Sequence, residues 1–208
     1  GSTAKDDMME GVDTSWERVK PHDALKDYLQ KTKDSFDIRH PHKITPYLTG
    51  AYKELNRVTD RHWREIKKNE IKNLIKATSG LFFESLSDVE IAPSGEDISI
   101  SFEAINRSPN NIKLKKIVLL DEEIIIDETL QNNKLFTKSI SFKVPEDLNS
   151  SEKYWLINRP SFGRYSIDNL NDLGAPDNVS EFNSKFYFSV EGQEVVFSSS
   201  LKNKTNNP

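Results

Sequence analysis

Up to about Gly80, apolar residues recur at helical spacing on a basic background; beyond it they alternate at strand spacing on an acidic one. The first regime predicts three helices. One fits Pro21 to about Asp34, with Leu25, Tyr28 and Leu29 on one face. The stretch Asp37 to His42 breaks it, because a residue before proline avoids the helical region. A second carries Ile44, Tyr47, Leu48, Ala51, Tyr52, Leu55 and Val58 at i, i+3, i+4, i+7 spacing, with Thr45-Pro46 as a compatible first turn. Asp60 can cap a third, with Trp63, Ile66, Ile71, Leu74 and Ile75 as its buried stripe and Gly80 as its stop.

From Leu81 the period is two. Ile98, Ile100, Phe102 and Ala104 alternate with Ser99, Ser101 and Glu103. Phe136, Lys138, Ile140, Phe142 and Val144 form one side of another run, in which Lys138 is the flaw. Phe182, Phe186, Phe188 and Val190 mark a late strand, and Glu191-Gly192 turns it into Gln193–Ser198 as a hairpin. With Leu81–Ser85, Val89–Ala92, Ile112–Leu119 and Ile124–Leu130 this makes about seven or eight strands, the spacing of an immunoglobulin-like sandwich. The fold class expected is α+β: a helical hairpin or small helical unit, then an immunoglobulin-like antiparallel β-sandwich. The divisions are a flexible leading segment 1–13, a helical region 14–80, the sandwich 81–200 and a polar tail 201–208. Only Ser79 and Gly80 separate the two patterns, so short a joint that the helices should dock against their neighbour.

Composition adds limits. A chain of 208 residues can bury a substantial core, and 11 Phe, 6 Tyr and 3 Trp supply material for it. The net charge of −4 conceals +6 in residues 14–80 against −7 in residues 81–208. The charges of the helical half are interspersed, which reads as a solvated surface and argues against nucleic acid as a partner. Absence of cysteine excludes disulfides and thiolate metal sites. No run of about 18 apolar residues occurs, so no membrane span is expected. The first residue is not Met, and Gly1-Ser2 fits a cloning remnant, so a piece of a longer protein is expected.

Candidate chemistry is sparse. All four histidines, His22, His40, His42 and His62, fall in the helical half. His40-Pro41-His42 can bring two imidazoles together, but a third ligand at fixed spacing is missing, and Pro41 explains the segment as a helix connection. Asp121-Glu122-Glu123 lacks the alternating oxygen ligands and glycine of a calcium loop and reads as a solvated hairpin tip. No glycine-rich phosphate loop or nucleophile elbow is present, and no metal or cofactor is implied. Four Asn-x-Ser/Thr triplets, beginning at Asn106, Asn149, Asn178 and Asn203, match the glycosylation pattern, which is too short to decide anything. The best binding candidate runs from Tyr154 through Trp155 and Arg159 to Phe162, Arg164 and Tyr165. Aromatic faces stack on sugars, and Arg pairs with carboxylates or phosphates, so Tyr154, Trp155, Arg159 and Tyr165 are the candidate carbohydrate-binding residues. The alternative, preferred because a sandwich of this size needs a buried Trp, has Trp155 and Leu156 ending a strand and plugging the core.

Several segments, in this order, carry a resemblance. They are Gly11 to Val19, the helix Tyr47–Val58, the run Trp63–Ser79 into Gly80-Leu81, Glu103 to Ser108, Tyr154-Trp155-Leu156, and Gly174 to Asn178. Together they resemble the non-catalytic C-terminal region of long LmbE/PIG-L-type (N-acetylglucosaminyl deacetylase-like) proteins of Bacteroidetes. Enzymes of that family are zinc-dependent and use a His-Pro-Asp-Asp motif. Here His40-Pro41 is followed by His42-Lys43, so no catalytic residue is carried over. The resemblance implies an accessory or structural region, not itself an enzyme, whose partner is the catalytic domain of its parent chain. It also implies a periplasmic, cell-surface or secreted location. The other reading is a carbohydrate-binding module built around Trp155.

Overall fold

The computed structural model describes residues 9–12, 15–146, 153, 155–159, 161–167, 173–174 and 182–203. Among these residues three helices come first: α1 (Asp23–Asp34), α2 (Thr45–Leu55) and α3 (Arg61–Thr78). Each starts and stops for local reasons. The Asp60 carboxylate accepts from the Trp63 backbone N–H at 3.0 Å, satisfying a donor that the first turn of α3 leaves open. At the other end Gly80 takes φ +58°, its N–H reaches the Ala77 carbonyl at 3.1 Å, and Leu81 N–H reaches Lys76 at 3.0 Å. That pair of bonds is a Schellman stop, and it delivers the chain straight into the sheet. Pro41–Ile44 forms a single 3-10 turn between α1 and α2.

The buried stripe of α3 is Ile71, Ile75 and Thr78. Leu74, expected inside, is about half exposed. Thr78 fills the inner position instead, its hydroxyl 3.1 Å from that of Thr45 and 2.8 Å from the Leu74 carbonyl.

Among the described residues seven strands follow: β1 (Phe82–Ser87), β2 (Asp97–Ile105), β3 (Ile112–Leu119), β4 (Glu122–Thr129), β5 (Leu135–Lys143), β6 (Asn183–Val190) and β7 (Gln193–Asn203). The strands do not form the immunoglobulin-like antiparallel sandwich expected from their spacing. All seven strands belong to one curled, mixed sheet in the order β4-β3-β6-β7-β1-β2-β5. The α+β class stands; two separate antiparallel sheets do not. Strand β7 is the reason. Its first eight residues pair antiparallel with β6, and Leu201, Lys202 and Asn203 then pair parallel with Ser85, Leu86 and Ser87 of β1. The polar-tail expectation for 201–208 therefore fails at these three residues. Val89–Ala92, expected to be a strand, forms bends and irregular backbone.

Curling is measured by ring contacts between strands that are not neighbours. Phe102 of β2 and Phe186 of β6 stand three strand positions apart, about 14 Å in a flat sheet. Their ring centroids are 6.1 Å apart. Phe83 of β1 sits at the centre, 5.1 Å from Phe186, 5.6 Å from Phe188 and 5.3 Å from Phe197. The sheet therefore wraps its own side chains into a core, which Leu81, Ile98, Ile100, Ile112, Leu114, Ile117 and Val195 extend.

Helices and sheet touch directly. Lys76 of α3 lays its ammonium 4.2 Å from the Phe83 ring centre, and Lys72 lies 5.9 Å from that of Phe197. Asn110 donates to the His42 carbonyl at 3.3 Å. Edge position explains the Lys138 flaw: β5 ends the strand order, so the lysine stays exposed although Phe142 on the same side is buried.

Candidate functional site

The aromatic candidates fall in the connection from β5 to β6, outside the sheet. Tyr154 lies outside the described residues. Leu156 N–H closes a turn on the Lys153 carbonyl at 2.7 Å, and the Lys153 ammonium stands 6.0 Å from the Trp155 ring centre. Trp155 is half-buried. It is neither a strand end nor part of the phenyl core, so the expected plug is not what it forms.

Beyond it the chain makes a small closed loop. The Asn158 side-chain amide donates to the Ser166 carbonyl at 3.3 Å. Ser161 and Arg164 exchange two backbone hydrogen bonds of 3.1 and 3.0 Å around Phe162-Gly163, with Gly163 at φ +74°. This tight turn holds the Phe162 ring fully in solvent, and Tyr165 beside it is 63% exposed. Arg159 is exposed as well. Among the described residues of this connection, the most accessible rings are thus Phe162 and Tyr165, not Trp155. Sequence places Phe162 in the candidate segment but not among its carbohydrate-binding residues; the signal for its exposure is Ser161-Phe162-Gly163-Arg164, a turn sequence that pushes its second residue outward. Leu156 and Ile157 add further exposed apolar surface to the same connection.

The histidine pair behaves as a helix connection. His40 and His42 have ring centroids 6.1 Å apart, and His40 Nδ1 is 2.9 Å from a carboxylate oxygen of Asp37. That hydrogen bond, with the Arg39 backbone N–H, holds the Asp37 carboxyl below the usual carboxylate range. Among the described residues, no three His, Cys, Asp or Glu side chains converge in a way that could hold a metal ion. At the Asp121 cluster, Glu123 pairs with Lys116 at 2.7 Å, and this bond raises the lysine above its ordinary range. A cleft of about 240 Å³ opens between α1 and α2, lined by His22, Asp23, Leu25, Glu54 and Arg57. Within it Arg57 meets Glu54 at 3.1 Å and His22 Nδ1 donates to the Val19 carbonyl at 3.0 Å, while the Asp23 side chain points into solvent. No helix among the described residues is long and apolar enough to cross a membrane.

No protein-family model matches the chain, and no curated protein matches it. Among solved structures, it is similar to Pseudomonas fluorescens alkylpurine DNA glycosylase AlkC bound to DNA containing an abasic site analog. Identity is 8%, 84% of this chain and 50% of that chain are covered, and the TM-score is 0.26. The chain thus spans about half the length of the protein it matches, and a likeness of this size carries no argument about fold or function.

Proposed function

We propose that this chain is a non-catalytic accessory or structural region of a carbohydrate-active, deacetylase-like protein, which orients or shields the catalytic domain of its parent chain. The observation that carries the reading is the gathering of Leu156, Ile157, Phe162 and Tyr165 on one exposed connection, outside a core that already holds its own aromatic cluster. Exposed apolar side chains concentrated on one segment favour a contact surface. The choice of parent rests on the collinear sequence resemblance, and export would follow from it.

The test mixes this chain with a separately expressed catalytic domain of the resembled family and measures association by calorimetry. Binding that weakens at least tenfold, about 1.4 kcal/mol, on Phe162→Ala with Ile157→Ser supports the reading. The contrary result is an activity of this chain alone: turnover of N-acetylated sugars with added zinc, abolished by His40→Ala or His42→Ala.

A second reading, a carbohydrate-binding module, draws on the solvent exposure of the Phe162 and Tyr165 rings near Arg159. Glycan-array binding that disappears with Tyr165→Ala and Arg159→Ala, while Phe162→Ala has no effect on the catalytic-domain contact, would favour it over the first. Binding to no saccharide would eliminate it.

A further inference from the structure

The seven-stranded sheet has two open edges, β4 and β5, and among the described residues no strand pairs with the outer side of either. An exposed edge is a template for another strand, and proteins block it with charge. Here the two blocks have opposite sign. β4 reads Glu-Glu-Ile-Ile-Ile-Asp-Glu-Thr, while Lys138 and Lys143 lie on β5 and Lys134 directly precedes it. Glu123 and Asp127 are taken up within the sheet by Lys116 and Lys113, each at 2.7 Å. Among the described residues, Glu122, Glu128, Lys134, Lys138 and Lys143 make no ion pair, and all five are exposed. Charges so arranged forbid β4 from pairing with β4 and β5 with β5. They do not forbid β4 from pairing with β5.

We propose that the acidic β4 edge of one copy of this chain docks against the basic β5 edge of a second copy, continuing the sheet head to tail. Orientation permits it. Following the antiparallel and parallel pairings across the sheet, β4 and β5 of one copy run in opposite directions. Two copies placed side by side with the same face inward therefore meet as an antiparallel pair, in which directly opposed residues share a face.

One register satisfies side chains as well. Setting Lys138 opposite Glu122 also sets Phe136 opposite Ile124 and Leu135 opposite Ile125. Phe136 and Ile124 are half-buried side chains packed against the core, and both lie on the inward face. Leu135 and Ile125 are outward-facing and exposed at 53% and 66%, an expense each strand bears alone and the pair removes. The positive φ of Asp127 disrupts β4 just past this stretch, which limits regular pairing to about five residues on that side. So short a contact buries less than the roughly 1,200 Å² of a stable interface, and the association is weak and salt-sensitive. The contact is heterologous, since two different edges meet.

The experiment is light scattering and sedimentation of the whole chain at concentrations up to about millimolar and an ionic strength of about 0.01 M, where the screening length is about 30 Å. The wild-type mass should rise from 23.9 kDa toward at least twice that value and fall back at about 0.5 M salt. Lys134→Glu with Lys138→Glu makes both edges acidic; Glu122→Lys with Glu128→Lys makes both basic. Each variant, checked for an unchanged melting curve, should stay at single-chain mass, and an equimolar mixture of the two should regain the rise. A wild type that is single at every concentration overturns the proposal. So does association that survives either charge reversal, or a mixture that stays dissociated.

Discussion

Gly50 is the position where two ordinary rules for a helix point in opposite directions. It lies inside α2, where replacing Gly by Ala gains about 0.8–1.0 kcal/mol of helix propensity. The neighbouring helix removes that gain. The Tyr28 ring of α1 lies directly over Gly50, and a Cβ built there would overlap three of its ring carbons. Tyr28 is half-buried, so the ring can move only by surrendering packing or by spreading α1 from α2. Overpacking of this kind costs about 1–3 kcal/mol, and overlap at three atoms places it in the upper half of that range. Gly50→Ala should therefore destabilise by about 1–2 kcal/mol net, with Tm lower by about 3–6 °C for a chain of this size. In a Tyr28→Ala background the obstruction is gone and the same substitution should stabilise by about 1 kcal/mol. Urea unfolding of the four chains, followed by circular dichroism, measures the coupling. Equal effects of Gly50→Ala with and without the tyrosine would refute the close packing of α1 on α2.

Asn106, buried at 1% exposure, donates to the Asn110 and Leu130 carbonyls and accepts from the Ser108 N–H and hydroxyl, so Asn106→Ala should cost about 2–4 kcal/mol in urea unfolding. A loss under about 1 kcal/mol would show that the corner between β2 and β3 does not depend on it. Burial, then the Glu65 and Glu194 carboxylates, push the Tyr52 phenol above its ordinary range. A raised folded-state value means that its contribution is complete below the unfolded value, near pH 10, and is lost as pH climbs through the folded value. Absorbance titration near 295 nm should show one late phenol that moves down on Glu194→Gln; an unmoved titration rejects the assignment. Phe83→Ala should cost about 3–5 kcal/mol and lower the helical and sheet signals in one transition, whereas a helical transition left at its original temperature would show that the halves melt apart.

Local signals were legible in the chain and long-range ones were not. The cap at Asp60 and the stop at Gly80 involve residues within five positions of each other, so sequence spacing alone locates them. The alternation of Ile98, Ile100, Phe102 and Ala104 marks β2 because one face of it is fully buried. The sheet order was hidden. The pairing that joins β1 to β7 links Ser85 with Leu201, and its β7 residues include Lys202 and Asn203, which carry no apolar signal. Asn203 is recruited by its side-chain amide, which donates to the Ser87 carbonyl at 3.2 Å. Missing that short parallel ladder converts one curled sheet into two imagined ones. Val89 and Ile91 mimic a strand, yet Ile91 is exposed and Pro93 follows. At the candidate site the segment was legible and the choice of ring was not: composition favours Trp155, while the turn at Gly163 decides exposure and selects Phe162.

The change of pattern at Gly80 does not divide the molecule into two independent cores, since buried residues on both sides of it belong to one cluster. A Schellman stop fixes the direction of the chain as it leaves α3, so Leu81 enters the interior at 3% exposure with no slack before β1 begins. That geometry sets α3 over the end of the phenyl cluster, with the Lys72 and Lys76 ammonium groups facing Phe197 and Phe83. Long lysine stems can cover apolar surface while their charges remain near water. For Lys76 the cover is tight enough that burial, with a smaller effect from Lys202, lowers the amine below its ordinary range. An ammonium facing a ring is stabilised by the ring's electron density, which opposes that shift without removing the steric closeness that produces it. A helix that reads as amphipathic and basic from sequence thus uses part of its basic face as packing. The +6 charge of residues 14–80 consequently overstates how much of that face is free to meet a polyanion.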